Sequence, residues 1–216
     1  MFASTSTVAL ALISLLTLTA AAPTPVQLAP RCGQTVFPTF LQQVSEANPT
    51  TVETNTLLTN GDFHVSQSVD ANGNIDNRIY QIAAFMNIPP GSYGCQLAVT
   101  FPANYPITST GVPTLNVTTL YNGESSSITY PSNVSWSTLY PPNAPSLGQG
   151  LFGTVTMTPG TTQVINSEAC PTGGGNLAFV FSIAVWETQP ASVDFNEYVN
   201  KMNGAGLAGV YLTYDC

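Results

Sequence analysis

Positive charge is almost missing from this chain. Arg31, Arg78 and Lys201 are the only Lys and Arg among 216 residues, against 11 Asp and Glu, and the formal net charge is −8. Three cations cannot neutralise a phosphate backbone or hold an anionic membrane surface, which argues against nucleic acid and acidic lipid as partners. Charge of either sign is scarce: 6% of residues carry it, where an ordinary soluble domain has about 25%. The scarcity is not that of a disordered chain, which is aromatic-poor, because nine Tyr, ten Phe and two Trp are present. Ser, Thr, Asn and Gln must therefore cover the surface. The acidic balance suits an acidic exterior, where carboxylates protonate and repel one another less.

Histidine is nearly absent too. His64 is the only one, so any Ser–His or Cys–His nucleophile would have to use it. No Gly-x-Ser-x-Gly elbow occurs, nor any Asp-Thr-Gly or Asp-Ser-Gly, and His64 reads as an ordinary strand or surface histidine. There is no Cys-x-x-Cys, which with a single His leaves no zinc pattern. Gly173-Gly174-Gly175 lacks the Lys and Ser/Thr of a phosphate loop and reads as a connector or bulge. No cofactor and no metal are expected, and no catalytic motif is found.

What is present begins with residues 1–21. Val8 to Leu18 is apolar or small and uncharged, shorter than the roughly 20 residues that span a bilayer. Thr19 and Ala21 are the small residues expected three and one before a cut. The stretch reads as a cleavable signal peptide, though its start carries no Lys or Arg, and it predicts a secreted protein with no membrane insertion after cleavage. Cleavage there exposes Ala22 or Pro23, which excludes a copper site built on an N-terminal histidine. Four cysteines follow, Cys32, Cys95, Cys170 and Cys216. An even count in an oxidising compartment predicts two disulfides, with three pairings open. Asn116-Val-Thr and Asn133-Val-Ser are N-glycosylation sequons, which predicts that both asparagines face solvent. Asn48-Pro-Thr is excluded by its proline.

Residues 22–59 read as an N-terminal extension, Pro-rich at first. Phe40, Leu41 and Val44 sit at helical spacing between Pro38 and Asn48-Pro49 and predict a helix of two turns. From 60 to 216 the signals are those of strands. Cys95, Leu97, Val99 and Phe101 alternate with polar or small residues, Leu115 to Leu120 does likewise, and Asn72-Gly73 and Asn122-Gly123 mark turns. Leu177 to Trp186 is a nearly unbroken apolar run, as in a central strand covered on both sides. Val210, Leu212 and Tyr214 close the chain, while 131–149, with its prolines, reads as a long loop. Eight or so strands define an all-β fold, an antiparallel β-sandwich or jelly-roll-like domain behind a short N-terminal extension.

Three acids, Glu187, Asp194 and Glu197, fall close together beside Trp186, Phe195 and Tyr198. Paired carboxylates are the remaining route to hydrolysis, as in glycosidases. Trp136 and Tyr140 flank the long loop as an expected exposed aromatic pair. These six, Trp136, Tyr140, Trp186, Glu187, Asp194 and Glu197, are the candidate ligand contacts.

The segments Ile88-Pro-Pro-Gly-Ser-Tyr-Gly-Cys95-Gln-Leu-Ala-Val-Thr-Phe101, Asn166-Ser-Glu-Ala-Cys170-Pro and Gly209-Val-Tyr-Leu-Thr-Tyr-Asp-Cys216 resemble a family of small secreted fungal proteins. That family is grouped by a C-terminal β-domain of the But-two type, named for a protein that binds the activating enzyme of a ubiquitin-like modifier. The resemblance spans about 60–216 and implies a β-domain. It supplies no catalytic residue. Its label implies an intracellular enzyme as partner, and the leader and paired cysteines point outside the cell, so only the fold is carried over. The expected function is non-enzymatic binding, at a cell wall or in the medium, of a polysaccharide or an extracellular protein. A glycosidase-like hydrolase using two carboxylates and an effector-like protein with a protein target are the alternatives.

Overall fold

The computed structural model describes residues 33–120, 134–142, 148–197 and 207–215. Residues 1–31, expected to begin with a signal peptide, and Cys32, Asn133, Tyr198 and Cys216 lie outside the described residues. Two antiparallel sheets pack face to face. The smaller has the order β1 (Gln34–Val36), β12 (Gly209–Tyr214), β5 (Cys95–Thr100), β9 (Thr162–Glu168). The larger runs β6 (Thr108–Thr110), β11 (Ala191–Asn196), β3 (Asp62–Val69), β4 (Ile75–Ile88), β10 (Gly175–Ile183), β7 (Leu115–Leu120), β8 (Gly148–Val155), with β2 (Phe40–Ser45) also paired to β4. This is the all-β sandwich that alternation in the sequence predicts.

Strand parity sorts side chains into two cores. Between the sheets lie Leu41, Phe63, Phe85, Leu97, Phe179, Phe181, Phe195 and Leu212, all buried. Phe63 stacks on Phe195 at 4.4 Å and meets Phe181 edge-on at 5.2 Å, arrangements that add to simple area burial. On the far face of the large sheet, Phe40, Val44, Ile82, Ala84, Ala178 and Val180 form a second core under Val134 and Leu139. A single helical turn, α1 (Trp136–Leu139), capped by the Ser135 side chain, supplies that cover. The apolar run in β10 is thus explained: Phe179 and Phe181 face one core, Ala178 and Val180 the other. Cys95 and Cys170 form a disulfide, Cα–Cα 5.1 Å, that ties β5 to the segment after β9.

The structure corrects three expectations. Phe40–Ser45 is a strand rather than a helix. Apolar residues at 40, 41 and 44 satisfy a helical stripe, but they equally suit a strand buried on both faces, with Leu41 turned to the first core and Phe40 and Val44 to the second. The supposed extension therefore contributes β1 and β2 to the sandwich from residue 34 onward. Asn116 does not face solvent. It lies within β7, is 7% exposed, and its Oδ1 finds no partner among the described residues. Its neighbours across the sheet, Ser182 and Thr154, occupy β10 and β8 on either side.

β4 is long enough to serve two partners along one edge. Its first part pairs with β3 (Ser66↔Ile79, Val69↔Ile75) and its second with β10 (Phe181↔Gln81 to Gly175↔Ile88), while β2 takes the opposite edge. Where β3 peels away, the fully buried Gln81 replaces the missing ladder bond. Its Oε1 accepts from the His64 backbone N–H at 3.1 Å, and its Nε2 donates to the Ile82 carbonyl at 3.1 Å. A buried backbone donor left unpaired would be costly, so Gln81 fixes where His64 stands.

Candidate functional site

The sandwich places the six candidate ligand residues in three different settings. Trp136 and Tyr140 do come together, ring centroids 5.0 Å apart, and Tyr80 joins them at 4.9 Å from Trp136. They are not an exposed pair. Both are half-buried against the second core, and the Arg78 guanidinium lies 5.1 Å over the Trp136 ring. Arg78 is in turn held by Glu46 through Nε–Oε2 at 2.9 Å and Nη2–Oε1 at 2.5 Å. That bidentate pair holds the Glu46 carboxyl below its usual range. Burial raises the Tyr140 hydroxyl well above the ordinary tyrosine value. The cluster is a lid on a core, with one ring face already taken by a cation.

The three acids take separate partners. Glu197 turns inward to the start of β12, where Oε2 accepts the Val210 N–H at 3.0 Å and Oε1 finds no partner among the described residues. Its burial pushes the carboxyl well above the usual range. Gly209, at φ +103°, lies against that carboxyl, where any Cβ would overlap it. Asp194 faces outward on β11 and contacts His64. Glu187 sits in the turn after β10, its Oε1 accepting the Thr114 N–H at 3.3 Å. Paired-carboxylate chemistry needs two acids facing one glycosidic bond, and these three point to different neighbours.

Trp186 has the setting expected of a contact residue. It is 56% exposed beside Val185, which is 85% exposed, in the turn joining β10 to β11. The turn is anchored from within. The buried Gln67 side chain donates from Nε2 to the Glu187 carbonyl at 2.6 Å and to the Gln189 carbonyl at 3.0 Å. The connection between β6 and β7 runs alongside: Ala184 N–H bonds to the Thr114 carbonyl at 2.9 Å, besides the Glu187 contact. On that connection Val112 is 63% exposed and holds φ +47°. A β-branched residue in the left-handed region is strained, by about 1–3 kcal/mol, and such strain concentrates at functional positions. Three large apolar side chains thus project from two neighbouring turns that hydrogen bonds hold in place.

Sequence reasoning singled out Trp186 but passed over Val112 and Val185. It also missed Ser66. On the outer face of β3, His64 Nε2 lies 3.1 Å from Ser66 Oγ, while its Nδ1 lies 3.2 Å from Asp194 Oδ2. The spacing His-x-Ser in an alternating strand signals that the two share a face. Only the pairing Asp194↔His64 between β11 and β3 brings in the third residue. Among the described residues no group of His, Cys, Asp and Glu suited to a metal ion occurs. No family model matches the chain, and comparison with curated proteins also finds no match.

Proposed function

We propose that this protein is an extracellular binding module, a disulfide-stapled β-sandwich that takes hold of a polysaccharide through the apolar turn around Trp186. The observation that carries the reading is the exposed indole on a turn pinned by a buried glutamine. An aromatic face offered to water stacks on the C–H face of a sugar ring, and a turn already held in place loses little entropy when it binds. The near absence of charge fits a neutral ligand. The leader-like start, the disulfide and the resemblance to small secreted fungal proteins support a site of action at the cell wall or in the medium.

Binding to insoluble chitin, β-glucan and cellulose, read as the fraction of protein pulled down, tests the reading. The intact protein is expected to bind at least one of them, and Trp186→Ala to weaken that binding by about tenfold or more, as removal of a hot-spot aromatic does. The melting temperature should stay put, since the side chain is exposed. Unaltered binding by the variant, or no binding of the intact protein to any of the three, overturns the polysaccharide reading. The latter outcome transfers the turn to a protein target.

A further inference from the structure

We propose that Ser66, His64 and Asp194 form an acyl-transfer site on the open outer face of the large sheet, with Ser66 as nucleophile toward carboxylic esters carried on a polymer. The site is distinct from the Trp186 turn and stands or falls separately. The geometry assigns each role. An ionised Asp194 carboxylate can only accept, so the 3.2 Å contact places the imidazole proton on Nδ1. The neutral ring then presents a lone pair at Nε2, and the Ser66 hydroxyl, 3.1 Å away, donates to it. Nucleophile, base and orienting carboxylate in hydrogen-bond series are what activates a serine, whatever the fold or chain order.

The fold holds the array in place. His64 and Ser66 sit two apart on β3 and so face the same way. Gln81 pins the His64 backbone. Asp194 stands directly opposite His64 in the β11–β3 register, 130 residues away in sequence. The next row across the sheet is Ser66, Ser192 and Thr110, paired in register. Directly paired residues on one face bring their Cβ atoms to about 5 Å, so the row sets the Ser192 hydroxyl next to the nucleophile and Thr110 one strand beyond. Ser192 is placed to donate to an oxyanion. His64 is 26% and Asp194 48% exposed in their side chains. A face this open, three strands wide from β6 to β3, suits an ester lying along a chain or surface better than a small molecule needing enclosure.

The step balances without a cofactor. Ser66 Oγ adds to the ester carbonyl carbon as its proton passes to Nε2. The tetrahedral adduct collapses, the carbon–oxygen bond to the alcohol breaks, and the leaving oxygen takes the proton from Nε2. Water then attacks the acyl-serine, again giving its proton to Nε2. The carboxylic acid leaves, and the proton returns to Ser66 Oγ.

Treating the secreted protein with a fluorophosphonate, then mapping the adduct by peptide mass spectrometry, tests the assignment. The adduct is expected on Ser66. Hydrolysis of 4-nitrophenyl acetate is expected to fall by about 100-fold or more in Ser66→Ala and in His64→Gln, the scale of lost general-base catalysis. Asp194 acts through His64 as a positioning residue. Asp194→Asn should lower the rate and shift its pH profile while the melting temperature, measured alongside, is retained. Absence of any adduct at Ser66, or a hydrolysis rate that survives Ser66→Ala in a folded variant, overturns the proposal.

Discussion

Glu197 shows how far a single carboxyl can set the response to acid. Its carboxyl is buried, with one oxygen unpartnered among the described residues, and burial pushes Glu168, whose Oε1 likewise finds no partner among them, up to about 6 from 4.5. Both bind a proton more tightly folded than unfolded. Their stabilising contribution is therefore whole below the unfolded value of 4.5 and is lost as pH rises through the folded value, about 6 for Glu168 and raised well above the usual range for Glu197. Glu46 is shifted the opposite way by Arg78, so its contribution is present above 4.5 and fades only as pH falls beneath that value. The signs predict a melting temperature that climbs as the solution is taken from about pH 7 down to about pH 5, the reverse of ordinary acid denaturation. Glu197→Gln should flatten most of that climb, and Glu168→Gln a smaller part, about 1 kcal/mol or less given its partial exposure. A flat or falling curve over that range would contradict the account. The burial of Glu197 was legible in the sequence: Val193, Phe195 and Glu197 share a strand parity, and parity separates them from Asp194. Closeness in sequence groups the three acids, whereas strand parity divides them.

At the scale of elements, alternation located most strands, and it failed where both faces of a strand are covered. β2 carries apolar residues on both sides because the large sheet is the middle layer between the smaller sheet and the segment Val134–Tyr140. A period of two disappears when neither face meets water, and a helical stripe remains as an accident of spacing. β6, with all three residues exposed, and β9, mostly exposed, carry the opposite problem of no apolar face to read. The triad of Ser66, His64 and Asp194 was half legible, since parity joins the first two, but no local signal reports the register between β3 and β11. The lid over the second core is the element most open to test. Trp136→Ala removes the ring that packs on Tyr80, Tyr140 and Arg78. It should destabilise by about 2 kcal/mol, less than a fully buried aromatic, measured as a lower denaturant midpoint at unchanged slope.

For the molecule as a whole, the covered middle sheet decides where sugars can be attached. Asn116 stands in an interior strand with 7% exposure, and a glycan there would need a side chain open to solvent. Peptide mass spectrometry of the folded protein, expressed with a signal sequence in a glycosylating host, is expected to find Asn116 unmodified. High occupancy at that position would mean that β7 does not hold the place described. The same layering governs how the sheets end. The Leu41 N–H of β2 is taken by the Asn55 side chain at 2.9 Å. Gly153 of β8 lets Ile165 of β9 approach closely, and Asn166 donates to the Phe152 carbonyl at 2.6 Å, joining the two sheets along that side. Among the described strands, β6 and β1 end their sheets and are each only three residues long. Short edges give a neighbouring chain few backbone groups to copy. At those two ends the molecule is a poor seed for fibres, and concentrating it should not set strand upon strand there.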